Sequence, residues 1–236
     1  MTEDVYDVHG PATHRALRDA WEMWGEVDEH VIGHLVNPSF MGGPSWPATR
    51  QAHVIVRRDG GGGLLLASDG LADPIEWDDA PPSNGFGAEV YAMTADTFED
   101  TGTTGLAGEW LGRVVMATSQ IVAGNGPSFA RMLAENGTLT VGFPNAQLPG
   151  EHGAKYMDEA GSLVVMLGLT GPEIPDSVDG PLSSIRLVNI KLLTAAEAAF
   201  CIEGGRGDGS ARTELVTRFA AQGHVLWSSL YRPSVV

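Results

Sequence analysis

The sequence is short of cysteine, of lysine and of positive charge altogether. One cysteine, Cys201, among 236 residues excludes an internal disulfide framework and a multi-cysteine zinc site, and it favours a reducing compartment. Lysine occurs only at Lys155 and Lys191. Lysine and arginine together number 14 against 30 acids, a net charge of −16, so a nucleic-acid backbone would be repelled and a cationic partner attracted. No apolar run approaches the ~18 residues of a membrane span. The longest, Leu163 to Leu167, has the size of a strand. Nor does Met1-Thr2-Glu3-Asp4 supply the positive charge and apolar stretch of a secretory signal. The expectation is a cytoplasmic chain that meets neither membrane nor nucleic acid.

What is present reads as folded. Apolar residues make up 43%, and 31 glycines with 14 prolines give many turns without the bias of a low-complexity chain. With no repeat and no linker, one domain over residues 1–236 is expected, a helix in residues 1–26 leading into it. That helix is predicted from Pro11 to Trp24, where Leu17, Ala20, Trp21 and Trp24 share a face and Thr13 stands at the capping position. His53-Val54-Ile55-Val56 and Leu64-Leu65-Leu66-Ala67 flank a glycine turn and predict a hairpin. Glu89-Val90-Tyr91-Ala92-Met93 reads as a half-buried strand, with irregular chain before it. Leu106 to Val122 carries one apolar stripe and predicts one helix, stopped by Gly124 and Gly126-Pro127. Leu139–Phe143, Leu163–Leu169 and Ile185–Leu193 complete a sheet of about six strands. Thr194-Ala195-Ala196-Glu197 is a capping box opening a helix that Gly204-Gly205 ends, and Ser210 is placed to cap a last helix that stops at Gly223.

Between Arg58 and Arg113 the chain has no cation and eleven acids. The plain reading is a solvated acidic face with loop aspartates holding turns; the sharper one is a docking surface for a basic protein. The candidate contact residues are Glu76, Trp77, Asp78, Asp79, Asp96, Glu99 and Asp100. Trp46 and Trp77 are either exposed anchors for arginine or plugs beneath long loops. His30 and His34 stand four apart as zinc ligands do, but Ile32 replaces the glutamate of a metalloprotease helix and no third ligand is evident, so no metal is assigned. Cys201 lies mid-helix between Phe200 and Ile202 and reads as core. Gly126-Pro127-Ser128 is no nucleophile elbow, and Asp59 to Gly63 is neither a phosphate loop nor a dinucleotide fingerprint. Arg206-Gly207-Asp208 and Asn136-Gly137-Thr138 read as chance turns. No catalytic residue and no cofactor is assigned.

From about Val27 onward, the order of features resembles the suppressor of fused family. Leu66-Ala67-Ser68-Asp69-Gly70-Leu71-Ala72-Asp73-Pro74 is similar to its signature of an apolar strand followed by Ser-Asp-Gly-Leu-Ser-Asp-Pro, with alanine for the second serine. Ala88-Glu89-Val90-Tyr91, the helix containing Trp110, and Leu192-Leu193-Thr194-Ala195-Ala196-Glu197 follow in the family's order. The resemblance covers some four fifths of the chain. It implies an α/β (α+β) single-domain sandwich, a mixed and largely antiparallel sheet flanked by helices, that binds rather than catalyses. Animal members clamp a transcription-factor peptide between two domains, and this chain has room for one. Bacterial relatives resemble immunity proteins that neutralise a cognate toxin, a task an acidic surface suits because many such toxins are basic. Read from the residues alone, Asp69 and Asp73 flank Gly70 as acceptors for backbone N–H groups of a tight turn, and Pro74 stops further pairing. Ser68, Asp69, Gly70, Leu71, Asp73 and Pro74 are therefore expected to be structural. The rivals are a carboxylate- or metal-dependent hydrolase and a self-associating subunit pairing through an edge strand.

Overall fold

Short β-branched and leucine-rich runs separated by glycine turns fold into strands, and apolar stripes at helical spacing cover them on both faces. The computed structural model describes residues 4–33, 37–47, 50–144, 146–204 and 209–236. In chain order it contains α1 (Val5–Glu22), β1 (Glu26–Val27), β2 (Ile32–Gly33), β3 (Ala52–Arg57), β4 (Leu64–Asp69), β5 (Pro74–Ile75), β6 (Ser83–Asn84) and β7 (Ala88–Thr94). Then come α2 (Thr103–Gly108), α3 (Trp110–Asn125), α4 (Ser128–Asn136), β8 (Leu139–Pro144), α5 (Gly153–Tyr156) and β9 (Ser162–Leu167). The chain closes with β10 (Ser177–Asp179), β11 (Ser184–Leu192), α6 (Ala195–Gly204) and α7 (Ser210–Ala221).

The main sheet runs β1-β3-β4-β7-β11-β9-β8, with β2 also on β3 and β10 also on β11. Every pairing is antiparallel except β7 with β11, so the sheet is mixed and largely antiparallel. Among the described residues it has nine strands; the excess over the six predicted is β1, β2 and β10, two or three residues each and too short to carry a period. The stretch expected to be irregular holds a separate two-stranded ribbon, β5 with β6.

Alternate residues of each strand feed two cores. Leu66, Val90, Val165 and Val188 meet Leu106, Leu111, Val115 and Phe129 on the α2–α4 side. Leu65, Tyr91, Met93 and Met166 meet Leu17, Trp21, Leu215 and Phe219 on the α1, α6 and α7 side. β7, predicted half-buried, is buried at all seven positions because helices cover both faces.

Three helix boundaries correct the sequence expectation. α1 begins at Val5, with the Asp4 carboxylate accepting from the Tyr6 N–H at 2.8 Å, and passes through Pro11. Thr13 is therefore internal, its hydroxyl donating to the His9 carbonyl at 3.1 Å. The stripe from Leu106 to Val122 is broken at Glu109 into α2 and α3, packed so closely that a Cβ on Gly112 would lie 2.1 Å from the Leu106 carbonyl oxygen. Gly209, at φ 71°, occupies the cap position of α7, leaving Ser210 as its first residue. The Thr194–Glu197 box forms as expected, Thr194 N–H reaching Glu197 Oε2 at 2.8 Å and Glu197 N–H reaching Thr194 Oγ1 at 3.3 Å. Among the described residues, no helix is long and apolar enough to cross a membrane.

Beyond α7 the chain turns back over the sheet. Trp227 bridges Met93 in parallel, and Leu226 and Leu230 enter the two cores. Lys191 Nζ donates to the carbonyls of His224, at 2.7 Å, and Trp227, and burial holds its pKa well below the ordinary lysine value. Arg232 grips the buried Glu197 with both ends of its guanidinium and also donates to the Leu192 carbonyl at 2.8 Å.

Candidate functional site

At the end of β4, Ser68-Asp69-Gly70-Leu71-Ala72-Asp73-Pro74 turns sharply into β5. Gly70 sits at φ 136°, where a Cβ would come within 2.6 Å of the Arg50 carbonyl oxygen. The acceptor that fixes this turn is Glu89 of β7, not Asp69 or Asp73. Its Oε1 accepts the N–H groups of Gly70 at 3.0 Å and Ala72 at 2.9 Å, and its Oε2 accepts the Ser68 hydroxyl. Burial, seconded by the negative charge of Asp69, pushes the Glu89 pKa up to about 8, so the carboxyl is largely neutral at pH 7.

The two signature aspartates face Arg50 instead. Its guanidinium engages both oxygens of Asp69, at 2.7 Å for Nη2 to Oδ1, and reaches Asp73 Oδ1 at 3.1 Å. His14 of α1 completes the group, its Nε2 lying 2.6 Å from Arg50 Nη2 and 3.1 Å from Asp73 Oδ1. Burial opposes the Arg50 charge, but Asp69 and Asp73 outweigh it and raise the pKa. Pro74 opens β5, and its partner Asn84 ties the loop to Thr13 at 2.7 Å and to the N–H groups of Leu182 and Ser183 at 3.0 Å. Leu71 is fully buried.

The acidic stretch does not form one patch. Glu76, Asp78 and Asp79 are exposed on the β5–β6 turn before β7, while Asp96, Glu99 and Asp100 follow β7, a strand of about 20 Å. Trp77 is half-buried, packed on Phe86 with its indole N–H donating to Ser83 at 2.9 Å. Asp96 accepts from the Ser229 hydroxyl at 2.5 Å and the Leu230 N–H at 2.9 Å, anchoring the C-terminal segment. Asp100 accepts from the Gly102 N–H at 2.8 Å and holds the approach to α2. Glu76, Asp78, Asp79 and Glu99 remain as exposed carboxylates.

Trp46 is buried edge-on against His53, a loop plug rather than an anchor. Burial lifts the Cys201 thiol to about 11, an unreactive core sulfur. His30 is exposed beside Asp28; His34, Gly205 and Arg206-Gly207-Asp208 lie outside the described residues. Among the described residues, no three His, Cys, Asp or Glu side chains gather as a metal would require.

A feature that charge and motif reading missed lies at the far edge of the sheet. Among the described residues, β8 has a single strand neighbour, β9. Val164 and Gly168 bond toward β11, so Leu163, Val165 and Leu167 bond toward their β8 partners Phe143, Val141 and Leu139, and the intervening Thr140 and Gly142 turn N–H and C=O outward. A cavity flanks this edge on each face. One, of about 420 Å³, lies against α3 and is lined by Arg113, Val114, Ala117, Ile121, Phe143 and Gln147. The other, of about 400 Å³, lies against α6 and is lined by Thr140, Asp158, Ser162, Val164, Cys201 and Ile202. Gly142 and Pro144 border both.

No model of a protein family matches this chain, and no curated protein does. Solved structures do match. A chain of the Sufu–Fu complex superposes with a TM-score of 0.52 at 12% identity, over 95% of this chain and 93% of that one. The fold is that of Suppressor of Fused. The Drosophila Suppressor of Fused structure agrees, with a TM-score of 0.54 and 12% identity over 95% of this chain. The chain spans about half, 51%, of the Drosophila protein's length. At that identity, what is shared with Suppressor of Fused is architecture, and the side chains above belong to this sequence.

Proposed function

We propose that this chain is a cytoplasmic, non-enzymatic binding domain that captures a basic protein, in the manner of an immunity protein neutralising its toxin. The observation that carries the reading is the unpaired β8 edge between two cavities. An extended segment laid along it gains main-chain hydrogen bonds, and its alternate side chains fall into one cavity and then the other. The net charge of −16 favours a cationic partner, and Glu76, Asp78, Asp79 and Glu99 contribute to the field that draws it in. Ser68, Asp69, Gly70, Leu71, Asp73 and Pro74 have a structural role in this reading, holding α1, the sheet and the 182–183 loop together. That one of the matched solved structures is a Sufu–Fu complex fits a domain that works through protein partners.

The test uses the basic product of an adjacent reading frame as partner and follows association and dissociation separately. Replacing Glu76, Asp78, Asp79 and Glu99 by their amides is expected to slow association about tenfold at low salt and to leave dissociation unchanged. Gly142→Pro, which removes one outward N–H, is expected to speed dissociation with an unchanged melting temperature. If neither rate responds, the reading is wrong.

A further inference from the structure

The two cavities beside β8 carry opposite charges at the same end of the strand. On the α3 side, Arg113 is tethered by Nε to the Gly108 carbonyl at 2.8 Å and by Nη1 to Gln147 Oε1 at 3.2 Å. Gln147 follows Pro144 by three residues, which places the guanidinium beyond the C-terminal end of β8. Nη2 makes no hydrogen bond among the described residues, and Arg113 makes no ion pair there, although Arg50, Arg57, Arg58 and Arg232 all do. On the α6 side, Ser162 is paired with Pro144, and Asp158 holds the Ser162 N–H at 2.7 Å and the Ala160 N–H at 3.0 Å, both through Oδ1. Its Oδ2 has no hydrogen bond among the described residues.

Neighbouring residues of an added strand point to opposite faces, so one side chain would meet Arg113 and the next would meet Asp158. Resting on the edge reading above, we infer that β8 selects a segment bearing a carboxylate next to a cation, Glu-Lys or Asp-Arg in either order, at the Pro144 end of an apolar or β-branched stretch. The carboxylate pairs with Arg113 in the α3 cavity and the cation with Asp158 in the α6 cavity. Pro144 lacks an N–H and ends the ladder there, so the charge pair lies where pairing stops. Toward Ile121 and Ile202 the cavities are apolar and take the valine- or threonine-like residues of the stretch.

Surface-immobilised eight-residue peptides of alternating valine and threonine test this, with one adjacent pair replaced by Glu-Lys, Lys-Lys or Gln-Gln. The full chain is applied as wild type, Arg113→Glu and Gly142→Pro. Arg113 is exposed, and a Cβ on Gly142 meets nothing within 4 Å, so both variants are expected to melt as the wild type does. The wild type is expected to prefer Glu-Lys over Lys-Lys about tenfold, and Arg113→Glu to reverse that order. Gly142→Pro is expected to abolish binding to all three. Binding lost in Gly142→Pro but with Arg113→Glu leaving the preference unchanged overturns the charge rule and keeps the edge reading. Binding unaffected by Gly142→Pro, or no binding of any peptide, overturns the edge reading and the charge rule with it.

Discussion

Glu89 and Glu197 are both fully buried, and they reach opposite charge states. Glu89 is surrounded by neutral donors, two backbone N–H groups and a hydroxyl, with the negative Asp69 nearby. Burial dominates and its proton stays on. Glu197 suffers the same burial, but Arg232 at 2.7 Å, with the N–H groups of Thr194 and Val235, holds its pKa below the ordinary value. The lesson is that burial sets the direction of a shift only until a cation arrives, and that four hydrogen bonds including a fork of guanidinium outweigh it.

The largest expected effect breaks the charged member. Arg232→Ala leaves Glu197 buried without its cation and is expected to cost about 3–5 kcal/mol in urea unfolding. A loss below about 1 kcal/mol would mean that the C-terminal clasp does not hold the sheet. Next comes the signature loop, where Asp69→Ala leaves Arg50 with Asp73 as its one carboxylate among the described residues and is expected to cost about 1–3 kcal/mol, with partner capture lost only as the protein unfolds. A variant melting like the wild type but blind to its partner would move Asp69 from the scaffold to the interface.

Glu89→Gln sharpens the comparison through pH. A carboxyl whose folded pKa is raised to about 8 from 4.5 contributes stability that is present below about 4.5 and fades as pH rises through about 8. Glu89→Gln is expected to remove that decline and to be more stable than the wild type above pH ~8 by about 1–2 kcal/mol, since its amide oxygen still accepts both N–H groups. Glu197 has the opposite sign, its contribution fading as pH falls below the ordinary carboxylate range. Parallel pH–stability curves for Glu89→Gln and wild type would contradict a neutral Glu89. Smallest is Thr194→Ala, which removes half of the capping box that helps position Glu197 and is expected to lower stability by about 1 kcal/mol.

Most of the architecture was legible because it is written in local periods. The six long strands, the β3–β4 hairpin and the capping box follow from alternation, turn glycines and the Thr-x-x-Glu spacing. What failed depended on tertiary contact. Pro11 looked like a helix start, yet burial of Leu17, Ala20 and Trp21 and the Asp4 cap extend α1 back past it. The break at Glu109 interrupts no apolar stripe. In the signature, the spacing of Asp69 and Asp73 suggested a turn holding itself, whereas the N–H groups of Gly70 and Ala72 donate to Glu89, 19 and 17 residues away from them in sequence. A glutamate at the start of an otherwise apolar strand was the available signal. Arg50, two residues before Ala52, which pairs with Asp69, carried no sign of its role until the register was known. The acidic stretch, continuous in sequence, is divided by the strand it contains.

The segment from Leu226 to Arg232 fills both cores and neutralises Glu197, so the sandwich is incomplete without residues that follow its last strand and both of its closing helices. A nascent polypeptide still on the ribosome therefore cannot close this sheet until Arg232 has cleared the exit tunnel. Until then Leu226's and Leu230's sites gape and Lys191 lacks its carbonyl cradle, a window in which chaperones meet the chain first.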